Sequence, residues 1–141
     1  MRLRIANRLA EVFFALDRID VALHEAGLAD AQRADIRLVI EELLVNTVHH
    51  GYPDGRAGWI EVRLDVDREA VTVEIGDDAA PFDPLAQAEP TLPGDLADRH
   101  EIGGLGIHLV RALASDVRYA RDARGNRLTL RFFHPSPEPT T

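Results

Sequence analysis

The chain has 141 residues, 45% of them hydrophobic and 28% charged, which is the balance of one folded domain with a core of its own and argues against disorder. It has no cysteine, so a disulfide scaffold and a zinc-thiolate centre are excluded. The formal net charge of −8, with no local basic patch to offset it, argues against direct nucleic-acid binding. The start, Met1-Arg2-Leu3-Arg4-Ile5, lacks the apolar run of a secretory leader, and no stretch approaches the length of a membrane span, so the expected location is cytoplasmic.

In chain order, Leu3 and Ile5 alternate with Arg2 and Arg4, the pattern of a strand. Val12, Leu16, Ile19, Leu23 and Ala26 then form a stripe at helical spacing that packs inward, with Gly27 as the stop. Asp30 is placed to cap a second helix running to His50. Its stripe is Ile36, Ile40, Leu43, Leu44 and Thr47, while Leu38 and Val45 point elsewhere and call for a second cover. Glu42 and Asn46, four apart, project beside that stripe. A carboxylate takes a proton or orients a nucleophile, and a neutral amide oxygen suits Mg²⁺ carrying a polyphosphate. Taken alone, the pair equally describes a solvated helix face. His49 and His50 are adjacent, share no face, and are not read as a metal pair.

Past the turn at Tyr52-Pro53-Asp54-Gly55, Ile60, Val62, Leu64 and Val66 alternate with charges, and Val71, Val73 and Ile75 repeat the pattern after a short loop at Asp67-Arg68-Glu69-Ala70. Each strand has one polar face, which predicts an antiparallel sheet covered by helices on one side. Gly76 to Pro84 reads as a turn leaving the second strand, and Leu85 to Ile102 keeps no period, the length and character of a lid. Glycines at 103, 104 and 106 open a helix carried by Ile107, Val110 and Leu113, where free amides can approach a phosphate. Val117 and Tyr119, a turn at Arg124-Gly125-Asn126, and Leu128, Leu130 and Phe132 predict a second hairpin. The domain is set at residues 1–134, followed by a disordered tail over 135–141.

The order of these boxes is more specific than any one of them. Glu-x-x-x-Asn on a helix, a strand ending in Asp-Asp-Ala-Ala-Pro-Phe-Asp-Pro, an irregular lid, and Gly-Gly-Leu-Gly opening a helix together resemble the anti-sigma factor serine/threonine kinases. These are stand-alone histidine-kinase-like ATPase domains in the superfamily of gyrase B and MutL. The resemblance implies an α/β fold, a two-layer sandwich of the Bergerat type with a mixed, mainly antiparallel sheet and helices on one face. It implies ATP and Mg²⁺ as cofactors, with Glu42 as general base and Asn46 as Mg²⁺ ligand. Asp77 then accepts the adenine amino group, and Gly103, Gly104, Leu105 and Gly106 flank the phosphates. The implied partners are a STAS-type anti-anti-sigma protein, phosphorylated on Ser or Thr, and a sigma factor that is sequestered. A homodimer is compatible with the second apolar face of the Asp30 to His50 helix. Two positions depart from the pattern. Ala79 stands where relatives place glycine, which raises the question of a narrowed pocket or a position that needs positive φ, and Ile102 stands where many place the first glycine of the last box. The alternative is a module that binds nucleotide and sequesters a partner without transferring phosphate. Arg99 and His100 in the lid and Thr129 on the last strand are read as surface residues.

Overall fold

The computed structural model describes residues 1–83 and 104–135. The lid stretch with Arg99 and His100, Ile102, Gly103 and the tail from 136 lie outside the described residues. The elements follow in the order β1 (Arg2–Ala6), α1 (Leu9–Glu25), α2 (Asp30–His50), β2 (Trp59–Val66), β3 (Ala70–Asp77), α3 (Gly104–Leu113), β4 (Asp116–Asp122) and β5 (Gly125–Phe133). The five strands form one sheet in the order β1-β2-β3-β5-β4, and all four pairings are antiparallel. This is the α/β architecture expected from the alternation of the strands.

Period-two alternation sets the two faces of the sheet. Val62, Ile75 and Leu128 lie in one cross-strand row, Leu64, Val73 and Leu130 in the next, and Val71 and Phe132 in a third. All are buried, together with Val12, Leu16, Ile19 and Leu23 of α1, Ile36, Val39, Ile40, Leu43 and Leu44 of α2, and Ile107 and Val110 of α3. The opposite face carries Arg63, Glu74 and Arg127 and is covered by no described element. The described helices therefore all lie on one side of the sheet.

Several details differ from the sequence reading. Ala26 is exposed because it is the C-cap of α1, and Ala15 takes its place in the buried stripe. The α1 end is a Schellman turn: Leu28 N–H donates to Leu23 O at 3.3 Å, Gly27 N–H donates to His24 O at 3.0 Å, and Gly27 has φ of 84°. Asp30 is the first helical residue of α2 and not its cap, since Ala29 holds the extended cap conformation and its carbonyl accepts Arg33 N–H. Asp30 instead pairs with Arg33 at 3.0 Å, as suits an acid in a helix's first turn. Val45 is partly buried and packs against the core, while Leu38 is 36% exposed. Gly125 and Asn126 belong to β5 and not to the turn before it, and β3 runs on through Gly76 to Asp77. Both shifts bear on the site.

Candidate functional site

Continuing the alternation of β3 and β5 by one step beyond the apolar rows puts Asp77 and Asn126 on the core-facing side, directly opposite each other. Ile60 of β2 flanks Asp77, and Arg121 of β4 flanks Asn126. The sheet thus ends in a polar rung above its hydrophobic core. Asp77 is 6% exposed, and its Oδ1 accepts from Asn126 Nδ2 at 2.9 Å and from Ala79 N–H at 3.0 Å. Burial pushes the Asp77 carboxyl above the usual range, with Asp78 adding to the rise, while the Asn126 and Ala79 donors and Arg121 oppose it.

This rung closes one side of a cavity of about 40 Å³ whose lining includes Leu43, Asn46, Gly51, Asp77, Ala79 and Asn126. Asn46 reaches it from α2. Its Oδ1 is buried and has no hydrogen-bond partner among the described residues. An amide oxygen left in that state destabilises a fold by about 1–3 kcal/mol unless something else satisfies it. Among the described residues no cluster of three His, Cys, Asp or Glu is present that could hold a metal alone. A hard cation at Asn46 would therefore take most of its ligands from water and substrate oxygens, which is how Mg²⁺ is commonly held. The donor set fits Mg²⁺.

One turn before Asn46 on the same face, Glu42 lies against the start of α3. A Cβ on Gly106 would stand 2.8 Å from Glu42 Oε2 and 3.3 Å from Glu42 Cβ, so glycine is what lets the helix press on that side chain. Gly104 and Leu105 form the first turn of α3, whose leading amides have no partner within the helix. The structure thus brings Asn46 and Asp77 to one cavity and Glu42 to the N-terminus of the glycine-opened helix. Thr129 sits elsewhere, between Glu74 and Arg118 on the open face of the sheet.

At Ala79, no described residue other than glycine has positive φ, so the backbone there does not require glycine. Its methyl is accommodated because residue 51 is glycine: a Cβ on Gly51 would fall 2.7 Å from Ala79 Cβ and 2.6 Å from Thr47 O. Gly51 itself ends α2 at φ of −78°, so it is close approach and not a left-handed turn that demands glycine.

Sequence reasoning missed the residues that hold Asp77. Asn126 links three strands and the chain beyond β3, and Tyr119 and Arg121 both reach it. On the other side Asp78 accepts from Tyr52 OH at 2.8 Å, Trp59 N–H at 2.9 Å and Arg56 at 3.4 Å. Burial alone would raise Asp78, but these donors outweigh it and hold the carboxyl below its usual range. Burial and then the bond to Asp78 push the Tyr52 phenol up. Asn126 was findable, since stepping back two from Leu128 places a polar residue on the buried face. The Asp78 cluster joins residues far apart in sequence and had no local signal.

Residues 5–132 match the family model described as the histidine kinase-like ATPase domain. The chain is 33% identical over 120 residues to the serine/threonine-protein kinase BtrW of Bordetella bronchiseptica, covering 82% of this chain and 83% of that one. It is 28% identical over 87 residues to the serine-protein kinase RsbW of Bacillus subtilis, covering 60% of this chain and 54%, about half, of that relative. Among solved structures it resembles the RsbU and RsbW domains of Rv1364c from Mycobacterium tuberculosis, with a TM-score of 0.61 and 20% identity over 99% of this chain and 35% of that one. That likeness shows the fold. The chain belongs to the histidine kinase-like ATPase domain family, in the branch of the BtrW- and RsbW-type serine/threonine-protein kinases.

Proposed function

We propose that this protein is an ATP-dependent serine/threonine kinase acting as an anti-sigma regulator. It phosphorylates a Ser or Thr on a STAS-type anti-anti-sigma partner and sequesters a sigma factor. The observation that carries the reading is the buried, unpartnered Asn46 Oδ1 in the same cavity as the Asp77 carboxylate, one helical turn from Glu42. The ATPase domain is residues 1–134, and the protein works in the cytoplasm, with its two partners.

Each residue then has a task. Asp77 accepts the adenine amino hydrogen, an interaction that the ionised carboxylate makes best. Asn46 would hold Mg²⁺, which would neutralise charge on the triphosphate. The leading amides of α3 at Gly104, Leu105 and Gly106 face the phosphates, and Gly103, outside the described residues, is assigned to the same box by its place in the sequence. Glu42 accepts the proton of the partner's hydroxyl as its oxygen bonds to the γ-phosphorus and the bond to the β-phosphate oxygen breaks, releasing ADP. The accommodated methyl of Ala79 removes the main reason to prefer a non-catalytic module, because neither strain nor a clash is present there. For self-association the face on offer is α1, where Phe13, Phe14 and Val21 are about half exposed, because Val45 of α2 is taken up by the core.

The test is transfer of labelled γ-phosphate to purified STAS-domain proteins by wild type and Glu42→Ala. The reading predicts a phosphorylated STAS protein with wild type and loss of that product in the variant, with ADP binding kept. Nucleotide binding by both proteins with transfer by neither would mean that the chain is a binding module.

A further inference from the structure

We propose that Asn126 is a positioning residue for the base end of the site, selecting which Asp77 oxygen is left for a ligand and clipping residues 79–82 to the sheet, with its own orientation set by Tyr119 and Arg121. The proposal rests on the ATP site described above and assigns a role to a residue that the functional boxes do not include.

The argument is one of saturation. An asparagine amide offers two N–H donors and one oxygen with two lone pairs. Nδ2 donates to Asp77 Oδ1 at 2.9 Å and to Ala80 O at 2.9 Å. Oδ1 accepts from Tyr119 OH at 2.5 Å and Arg121 Nη1 at 3.0 Å, and Phe82 N–H lies at 3.4 Å. Every hydrogen-bonding position of the amide is therefore in use, and Asn126 has nothing left to offer a ligand directly. Its effect passes through Asp77. Oδ1 of Asp77 is occupied by Asn126 and by Ala79 N–H, so among the described residues Oδ2 is the oxygen left to accept a donor from a ligand. Because three donors converge on Asn126 Oδ1, one of them a guanidinium, the flipped amide is disfavoured: it would set N–H against Arg121 Nη1 and Phe82 N–H, and oxygen against Asp77 Oδ1 and Ala80 O. Arg121 Nη1 also donates to Ala79 O at 3.3 Å, so the same pair fixes the first residues that leave β3.

The backbone confirms how closely these parts are built together. Gly125, at φ of 138°, precedes Asn126, and a Cβ there would fall 1.9 Å from Asp77 O. Glycine at 125 is what lets β5 begin close enough for its next residue to reach the carboxylate. The charged and titratable groups around Asp77 are Asp78 next in chain, Tyr52 after α2 and Arg121 from β4, while His50 and Tyr119 line the same cavity.

The decisive variant is Asn126→Asp, which keeps the shape and replaces the Nδ2 donor by an acceptor. ADP binding by calorimetry is expected to fall on the order of tenfold or more at pH 8 and to recover on acidification, as a proton shared between the two carboxyls replaces the lost N–H. A merely structural role would show the same pH dependence in the variant's urea midpoint, whereas the positioning role predicts the loss of ADP affinity in protein that is still folded at pH 8. Tyr119→Phe, which relaxes the amide without adding charge, is expected to weaken ADP binding about two- to threefold. Folded Asn126→Asp protein that binds ADP like wild type across this pH range would overturn the proposal. If Asn126→Asp does not fold, Tyr119→Phe and Arg121→Gln carry the test, and unchanged affinity in both overturns it. If wild type binds no ADP, the kinase reading fails by itself, and NMR titration of the Asp77 carboxyl decides the positioning role. A higher titration point in Tyr119→Phe supports it, and an unchanged one removes it.

Discussion

The two ends of the site are built on opposite principles. At the base end, Asp77 and Asn126 are buried at the end of a sheet, and the Asn126 amide has all of its hydrogen-bonding positions filled by protein. At the α2 end, Asn46 Oδ1 is equally buried and has no partner among the described residues. A protein gains stability from the first arrangement and loses it in the second unless a water, an ion or a ligand supplies the missing partner. On the reading proposed above, the Asp77–Asn126 rung is held by protein alone, whereas Asn46 Oδ1 is the group that a Mg²⁺ ion and the substrate's oxygens would complete.

Four changes break or sharpen this contrast, in falling order of effect. Glu42→Gln removes the proton acceptor while keeping shape, and phosphate transfer should drop by about 10²-fold or more with ADP affinity within about twofold of wild type. A quench-flow or labelled-phosphate assay beside calorimetry would show the split. Asn46→Leu replaces the unpartnered amide by a hydrocarbon of similar size. Mg²⁺-dependent ATP binding should weaken more than tenfold while the ligand-free protein becomes more stable by about 1 kcal/mol, read as a higher urea midpoint. Loss of stability together with loss of binding would show that the oxygen has a protein partner.

Gly51→Ala places a methyl against Thr47 O and Ala79 Cβ, and should cost about 1–3 kcal/mol of stability by chemical denaturation. Pairing it with Ala79→Gly should restore part of that loss but not the contact with Thr47. The smallest effect is that of pH. Asp77 has a folded pKa above its unfolded value, so the folded state holds the proton more tightly. Whatever stability this contributes is present below the unfolded value and is lost as pH rises through the folded one. Adenine binding runs the other way, since protonation removes the acceptor. ADP affinity should therefore decline on the acid side at a higher pH than an ordinary aspartate would dictate, and ligand-free stability should rise over the same interval. Parallel changes in the two would contradict the assignment of Asp77.

Much of this was legible in the sequence because it rests on short-range periodicity. The alternation from Ile60 to Leu64 and from Val71 to Ile75 marked which face of each strand is buried, although Val66, at the end of β2, is 39% exposed, and the spacing of Glu42 and Asn46 put them on one helical face. Strand ends were less legible. Asp77 looked like the beginning of a turn because Asp, Gly and Pro crowd around it, yet pairing with Asn126 carries the ladder through it. Asn126 fell inside the turn signal of Arg124-Gly125-Asn126, and only counting back two from Leu128 places it on the buried face. The significance of Ala79 needed three dimensions, because what makes room for its methyl is Gly51, twenty-eight positions earlier and at the end of another element.

The most direct measurement is a calorimetric titration of ATP and ADP, with and without Mg²⁺, into wild type and Asn46→Ala. The account predicts that wild type binds both nucleotides, that Mg²⁺ tightens the binding, and that this gain disappears in Asn46→Ala while a weaker, metal-independent affinity through Asp77 remains. Equal Mg²⁺ dependence in the two proteins would contradict it, since the buried amide oxygen would then have no part in holding the cation.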